Sequence, residues 1–408
     1  MQYPLGTLDC WNASNVNCTV RDKQCGYGCV ENAGEEISHM ADYPYIRLLE
    51  DGGRSSDVPV ADARNGGWHS PTERDGVFSA MCWFFGRNLY AALNKHAPTP
   101  VGLIETNVGG TPDQHWSSPD ALSKCKHLNE PWEWPDNFTD SVLWNGKVVP
   151  YLRNTIKGAV WMQGEANSRT DGRQYNCSFP AMITDWRSKW TEGTGGTTDP
   201  EFPFGWAQLN SNGRATVWRE NSSEPNRPGV QDPLGIWNSG FTGIRLAEDS
   251  TLALPNTFQA VILDTPVASG SIHSPYKQVP GDRLTRGALA VAYDQPQPYP
   301  VVSKSTVKGD MVVVTLDGVG SGVELRGKDG FEVFAYPNWH TVPVSSSTDD
   351  SVSVGPIPAN ATAMRYLWRT APCGNFPYKC AVYAKVSPLG TLSGQMDALP
   401  LGPFVTKL

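Results

Sequence analysis

Four short apolar runs dominate the hydrophobic pattern in the first three quarters of the chain. They lie at residues 100–106, 157–163, 203–209 and 257–264. Each is continuous rather than alternating, as expected for strands covered on both faces. Helical periodicity, with apolar residues three and four positions apart, lies between or beside them at 76–96, 174–190 and 283–293. Alternating strands and helices predict a three-layer α/β/α fold with a doubly wound parallel sheet.

The pattern changes after Tyr293. Residues 294–300 are rich in Pro and Gln and are typical of a linker. Beyond them, short β-type runs are separated by Gly, Asp and Ser, at 311–315, 331–336, 351–355 and 362–368. This spacing predicts a small antiparallel sheet or sandwich, so the fold class is α/β with a C-terminal β-rich domain. We predict two domains, residues 1–294 and residues 295–408.

Composition narrows the class of protein. The chain has 408 residues, a formal net charge of −8 and 18% charged residues. It contains no run of Lys and Arg, which argues against a nucleic-acid partner or an anionic membrane surface. No stretch approaches the ~18 apolar residues that a membrane helix needs, so we expect a soluble globular protein without a membrane span.

Nine cysteines bear on the compartment and on metal binding. They are Cys10, Cys18, Cys25, Cys29, Cys82, Cys125, Cys177, Cys373 and Cys380. They show no paired CxxC spacing and no neighbouring His cluster, so no metal or other cofactor is expected. Four cluster near the N-terminus and the last two lie seven apart, which favours local disulfides. The odd count leaves one thiol free, or its partner lies outside this chain.

Six Asn-x-Ser/Thr sequons add to the cysteine pattern. They begin at Asn12, Asn17, Asn137, Asn176, Asn221 and Asn360. Together the two signals favour a glycosylated secreted or lysosomal protein. The first residues, MQYPLGTLDC, have neither the basic nor the apolar region of a signal peptide. Either a signal was removed, or the chain begins late.

Three of the four predicted strands end in residues that can carry chemistry. The segments are ETNVGGTPDQHW at 105–116, QGEAN at 163–167 and the stretch from Asp264 to His273. In open α/β sheets, ligands bind outside the carboxyl ends of the strands. We therefore expect these three segments to form one site.

Each segment has a functional and a simpler interpretation. Gly109 and Gly110 could bring backbone N–H groups close to a substrate oxygen, or could simply form a turn. His273 with Asp264 nearby resembles the general-base half of a nucleophilic triad, although a loop His is often merely solvated and a strand-closing Asp often caps a helix. In QGEAN, Glu165 and Asn167 could cap a helix, but the Gln and Gly add nothing to a cap. The recurrence at equivalent strand ends favours a functional site.

At these motifs the chain resembles the sialate O-acetylesterase family, carbohydrate esterases of the SGNH-hydrolase class. The matching blocks are GLIETNVGGTPDQHW at 102–116, WMQGEAN at 161–167 and GSIH at 270–273 with a following Lys277. Connecting segments agree as well, including CWFFGRNLY at 82–90 and RYLWRTAPC at 365–373. The resemblance covers nearly the whole chain.

The resemblance implies a Ser–His–Asp hydrolase that acts on O-acetylated sialic acid or a related acetylated sugar. His273 is then the general base, and Asp264 orients it. Gly109 or Gly110 supplies a backbone N–H to an oxyanion hole. A side-chain amide of Gln163 or Asn167 joins the same hole, and Glu165 holds the loop.

The sequence departs from the family pattern at three places. The His block reads Ile-His-Ser, and the residues after GGTP are Asp113-Gln114-His115. The family nucleophile lies in a block of the form S-G-Q-S-N-M, and residues 1–5 look like the end of that block. No G-x-S-x-G or G-D-S occurs elsewhere, and the first strand-like run comes only near residue 100. We therefore expect the nucleophilic serine and the first strand to lie upstream of Met1, in which case the chain is truncated and poorly soluble.

Two further functions remain open at this point. A catalytically inactive carbohydrate-binding relative would need no serine. A glycosidase could use Glu165 and Asp264 as paired carboxylates, but it would leave the Gly-Gly turn and His273 without a role.

Overall fold

Among the described residues, five parallel strands form the α/β part of the molecule, and four of them lie within the predicted apolar runs. This computed structural model describes residues 30–74, 78–94, 98–126, 139–169, 172–213, 234, 236–237, 240–267, 270–389 and 397–408. The strands are β1 (Ile46–Glu50), β2 (Val101–Glu105), β3 (Ala159–Trp161), β4 (Phe204–Ala207) and β5 (Thr257–Ala260).

The first strand corrects the expectation that strand structure begins only near residue 100. β1 pairs with β2 in parallel, from Ile46 opposite Val101 to Glu50 opposite Glu105. Its sequence, IRLLE, has only three apolar residues, and Arg47 is exposed. A charged residue inside so short a run hides the strand from a search for continuous apolar stretches.

Seven helices among the described residues flank the parallel strands. They are α1 (Ala33–Ser38), α2 (Ala80–Leu93), α3 (Asp113–Trp116), α4 (Pro119–Ser123), α5 (Gly172–Gly193), α6 (Gly240–Thr251) and α7 (Gln278–Ala292). Helix α2 packs against α7, and α5 packs against α6. Within the described ranges, none of the helices has the length and apolar character needed to span a membrane.

The two helix pairs cover opposite faces of the strands. Met81 of α2 and Leu284 of α7 share one buried cluster with Ala207 of β4. A second cluster joins the aromatic residues of α5 and α6 to the other face, where Trp206 is fully buried. The predicted three-layer α/β/α arrangement is confirmed.

The parallel strands form two sheets instead of the single sheet expected. β1 and β2 make one sheet, and β3, β4 and β5 make the other in that order. Among the described strands, no hydrogen bond joins β2 to β3. A cavity of about 520 Å³ lies between these two strands and is lined by both. Cys82 and Phe85 of α2 line one side of it, and Trp186 and Trp190 of α5 line another.

From Val301 onward the described strands are antiparallel, as the short β-type runs predicted. They are β6 (Val301–Lys308), β7 (Met311–Asp317), β8 (Val323–Leu325), β9 (Phe331–Ala335), β10 (Asn338–Val342), β11 (Val344–Ser347), β12 (Ser351–Val354), β13 (Ala363–Tyr366), β14 (Val382–Lys385), β15 (Ala398–Pro400) and β16 (Phe404–Lys407). They form three sheets, ordered β10-β9-β13-β16, β11-β12-β7-β6 and β15-β14-β8. Val261 and Leu263, which follow β5, belong to the hydrophobic core of this region. The two parts of the molecule therefore share buried surface.

Candidate active site

The loops after β4 and β5 lie side by side at the carboxyl ends of these strands. The Ser211 hydroxyl donates to the Leu263 carbonyl at 3.1 Å. The Gly213 N–H donates to the Gly270 carbonyl at 2.8 Å. These bonds hold the start of the GSIH segment at the edge of the sheet where open α/β folds bind ligands.

His273 follows in this loop, and its side chain is half-buried. Its backbone N–H donates to the Ser271 hydroxyl at 3.1 Å, which fixes the turn. Burial, together with the positive charge of Lys277, lowers the pKa of His273 from its ordinary value of 6.5. The imidazole is therefore mainly neutral at pH 7 and able to accept a proton, as a general base must.

Lys277 is buried immediately before α7. Burial lowers the pKa of its ammonium group from 10.5 to about 8, while the negative charge of Glu165 acts in the opposite direction. Glu165 belongs to the turn after β3, yet its charge acts on the His273 loop. The structure thus brings His273, Lys277 and Glu165 into one electrostatic environment.

Asp264 has partners other than His273. Its fully buried carboxylate receives a bidentate pair from Arg283 of α7, Nη1 to Oδ1 at 2.6 Å and Nη2 to Oδ2 at 2.8 Å. The Tyr383 hydroxyl donates to Oδ2 at 3.1 Å. None of the contacts between described residues joins Asp264 to His273. The expected His–Asp pair is therefore not formed, because α7 and β14 supply the partners of this carboxylate.

The ion pair between Asp264 and Arg283 also argues against the glycosidase interpretation. A pair of catalytic carboxylates must face the sugar from both sides. Asp264 instead lies in a buried ion pair with Arg283, and its oxygens are occupied. A paired role for Glu165 and Asp264 has no support from this geometry.

The turn after β3 depends on a glycine at its centre. Gly164 has a φ of +137°, and a Cβ there would lie 3.0 Å from the Ile244 side chain and 3.3 Å from that of Leu209. The backbone angle makes any other residue strained, and the side chains of Ile244 and Leu209 would have to shift slightly to accommodate it. The abrupt end of the apolar run at Gln163-Gly164 is therefore a tight turn against α6.

Asn167 lies beneath this turn and is fully buried. Its Nδ2 donates to Asp113 Oδ1 at 2.6 Å and to Gln114 Oε1 at 3.0 Å. Its Oδ1 accepts the Asp113 N–H at 3.1 Å and Gln163 Nε2 at 2.6 Å. Both atoms of the amide are thus hydrogen-bonded to Gln163 and to the first residues of α3. The expectation that Asn167 donates to a substrate oxygen does not match these contacts.

Gln163 is bound in the same network. Besides Asn167, its Nε2 donates to the Thr111 carbonyl at 3.2 Å, and its Oε1 accepts from the Tyr175 hydroxyl at 3.1 Å. The structure brings the QGEAN and GGTPD segments together as the sequence predicted. The side-chain amides of Gln163 and Asn167 make these contacts and hold the two loops together.

Asp113 is the buried centre of this network. Burial raises the pKa of its carboxyl from 3.8 to about 6, although the bonds from Ser178 and Asn167 lower it. The Ser178 hydroxyl, on α5, donates to Asp113 Oδ2 at 2.5 Å. Sequence analysis singled out Asp113 only as a departure from the family pattern. Its role becomes visible from the three segments that meet at it.

Gly109 and Gly110 form an exposed turn after β2. Gly110 has a φ of +74°, in the region that favours glycine, and no heavy atom beyond its two chain neighbours lies within 4 Å of a Cβ placed there. Within the described ranges, neither N–H donates a hydrogen bond to another protein group. These two amides are the predicted oxyanion donors that remain available to a ligand.

The predicted modification sites divide between described and other residues. Asn360 is exposed in a turn, whereas Asn176 is half-buried within α5. Asn12, Asn17, Asn137, Asn221 and the four N-terminal cysteines lie outside the described residues. Cys373 pairs with Cys380, as their spacing suggested, and Cys125 pairs with Cys177.

The described part of the chain holds neither a reactive free thiol nor a cluster of metal ligands. Cys82 is the free thiol of the described part of the chain, and burial raises its pKa well above the ordinary value. Such a thiol is a poor nucleophile. Across the same ranges, no group of three or more His, Cys, Asp or Glu could hold a metal ion.

Comparison with known proteins matches both parts of the molecule. A family model described as carbohydrate esterase, sialic acid-specific acetylesterase, matches residues 68–231, and a sialate O-acetylesterase C-terminal domain model matches residues 302–408. Sialate O-acetylesterase from Homo sapiens is 31% identical over 97% of this chain and 74% of its own length. The Pongo abelii protein of that name gives the same values. The crystal structure of a carbohydrate acetylesterase from Xanthomonas citri is similar with a TM-score of 0.71 and 25% identity, covering 92% of this chain and 76% of that one.

Proposed function

This chain belongs to the sialate O-acetylesterase family, and from that premise we propose that it hydrolyses O-acetyl esters of sialic acid or a closely related sugar. The observation that carries the proposal is His273, half-buried and mainly neutral at pH 7, in the loop after β5. The available amides of the Gly109–Gly110 turn support it, because ester hydrolysis needs N–H donors for an oxyanion.

In the proposed reaction a serine hydroxyl attacks the acetyl carbonyl while His273 takes its proton. The bond from the acetyl carbon to the sugar oxygen then breaks, and His273 returns the proton to the departing sugar hydroxyl. Water repeats the sequence on the acetyl-serine and releases acetate. Gly109 and Gly110 bind the oxyanion, a contact worth on the order of 10²–10³ in rate in well-studied hydrolases.

Asp264 takes a different role in this proposal from the one expected from sequence. Its bidentate pair with Arg283 joins the end of β5 to α7, and these two elements flank the His273 loop. Asp264 is therefore a positioning residue for the segment that carries the base. Gln163, Glu165 and Asn167 are likewise assigned to holding the loops.

Hydrolysis of 4-nitrophenyl acetate, combined with labelling by a fluorophosphonate probe, tests the proposal. For the protein in the form that its native cells produce, we expect turnover, a labelled serine that peptide mass spectrometry can identify, and loss of both in His273→Ala. His340→Ala, which removes a histidine from β10, should change neither. Turnover without a labelled serine would contradict the mechanism. Binding of a sialoside without any turnover would favour the catalytically inactive carbohydrate-binding relative.

We further propose that the protein is secreted or lysosomal. Support comes from the Cys125–Cys177 and Cys373–Cys380 disulfides, which persist in oxidising compartments. Fractionation of the native cells tests this, and recovery of the protein with reduced cysteines from the cytosol would contradict it.

A further inference from the structure

The C-terminal region reaches the candidate active site through the segment that follows β13. Arg245 of α6 is fully buried and donates to the carbonyls of Arg369 and Thr370 at 2.7 and 2.9 Å. The same guanidinium donates to the carbonyls of Leu209 and Asn210, after β4, at 2.8 and 2.7 Å. One buried side chain therefore joins the start of this segment to a loop at the carboxyl edge of the sheet.

The far end of the segment is fixed to the loop after β5. The Tyr378 N–H donates to the Asp264 carbonyl at 2.7 Å. The Tyr378 side chain packs against the same hydrophobic cluster as Tyr276, which lies three residues after His273. The segment thus runs beside the loop that carries the proposed base.

Between these two attachments, Cys373 and Cys380 close a small loop, and both cysteines are buried. Gly374 and Tyr378 adopt left-handed φ angles of +87° and +63°, which bend the chain within the loop. Phe376, at its centre, is 65% exposed. A single exposed aromatic is ordinary by itself. This one lies on a covalently closed loop that hydrogen bonds hold next to the His273 loop.

We propose that the Cys373–Cys380 loop forms one side of the sugar-binding site, with Phe376 as the aromatic surface that contacts the glycan. A sugar ring has an apolar face of C–H groups, and a flat aromatic ring held in place covers it at little cost in conformational entropy. Phe376 is then a specificity-determining residue, which acts on the sugar and not on the acetyl group. The inference rests on the proposed function.

The test measures binding and turnover of full-length Phe376→Ala. The methyl glycoside of N-acetylneuraminic acid, which lacks the ester and cannot be turned over, serves as the binding probe in an NMR titration. We expect Kd to rise about three- to tenfold, the range for loss of one aromatic contact. KM for the 9-O-acetylated glycoside should rise similarly, whereas kcat/KM for 4-nitrophenyl acetate, which has no sugar, should stay unchanged.

Two further variants make the result specific. Phe376→Trp keeps an aromatic surface and should retain wild-type affinity. Tyr45→Ala removes another half-exposed aromatic, directly before β1 in the other parallel sheet, and should have no effect. An unchanged Kd in Phe376→Ala, or no glycoside binding by the wild-type chain, would overturn this inference. Aryl acetate turnover that persists in either case would leave the proposed esterase function standing, so the two failures are distinguishable.

Discussion

At the scale of single residues, the state of His273 depends on its neighbours. Burial and the charge of Lys277 both make protonation of the imidazole harder. The imidazole therefore stays neutral, and able to accept a proton, to a lower pH than an ordinary histidine does. The charge of Lys277 contributes to this shift after burial, which is the larger cause.

We predict that Lys277→Met raises the pKa of His273 toward its ordinary value, because a positive neighbour disfavours the imidazolium ion. NMR titration of the His273 ring proton measures this without requiring activity, and the acid limb of esterase activity should move to higher pH in parallel. Lys308→Met, which removes an exposed charge on β6, serves as the matched control. An unmoved or lowered titration midpoint in Lys277→Met would show that the lysine charge does not act on His273.

Residue types and spacing indicated segments that contact each other in the structure, but not the individual contacts within them. The sequence indicated that Asp264 and His273 belong to one loop region, and it indicated the QGEAN and GGTPD segments. It could not show that Arg283 reaches Asp264, because that contact depends on the rotation of α7. It also could not show that the Asn167 amide is buried and faces Asp113. The direction of a side chain depends on tertiary packing, which the local sequence does not determine.

At the scale of elements, the ion pair between β5 and α7 ties three parts of the chain together. Asp264 follows β5, Arg283 lies on α7, and Tyr383 lies on β14 of the C-terminal region. A buried ion pair adds little stability by itself, because desolvation offsets the attraction. Breaking it leaves one buried charge without its partner, which is far more costly.

We predict that Arg283→Met lowers the free energy of unfolding by about 3–5 kcal/mol. The double variant Asp264→Leu/Arg283→Met should be more stable than Arg283→Met alone, since no unpaired charge remains. Urea-induced unfolding measures both. Arg326→Met breaks a more exposed pair with Glu324 and should cost less than about 1 kcal/mol. Equal stability of the single and double variants would mean that the buried carboxylate finds another partner.

Strands and helices could be predicted from the sequence where a single physical rule determines their residue pattern. Strands β2 to β5 are covered by helices and read as continuous apolar runs. Helices α2, α5 and α7 carry regular apolar stripes, and the structure has them at Ala80–Leu93, Gly172–Gly193 and Gln278–Ala292. Helix α6 was missed because several of its buried positions are polar, Arg245 and Glu248 among them. Tertiary contacts provide the partners of these polar side chains, so local periodicity does not reveal the helix.

At the scale of the whole molecule, the cavity between β2 and β3 divides the parallel strands into two sheets. β4 has a hydrogen-bonded neighbour on each side, whereas β3 pairs only with β4 among the described strands. A doubly wound fold predicted from sequence assumes a continuous sheet. Local patterns do not encode which strands become neighbours, so the division was not foreseen.

We predict that amides of Val101–Glu105 and Ala159–Trp161 exchange with deuterium faster than those of Phe204–Ala207. Strand edges that line a cavity have amides without a partner strand, and local opening there breaks fewer contacts. Hydrogen exchange with mass spectrometry of overlapping peptides provides the measurement, with β4 as the internal reference. Uniform protection across β2, β3 and β4 would indicate that the cavity is filled in solution.

The surroundings of Asn176 impose an order of events on biosynthesis. Its sequon runs through Cys177, which is bonded to Cys125, and ends at Ser178, whose hydroxyl is buried against Asp113. A glycosyltransferase needs the acceptor Asn and the Ser hydroxyl in an exposed, extended segment. In the folded chain both belong to a helix. Any glycan at Asn176 therefore has to be attached while the nascent chain is still unfolded, before α5 forms and before Cys177 is oxidised. The glycosylated fraction at this site then increases with the time that α5 takes to fold.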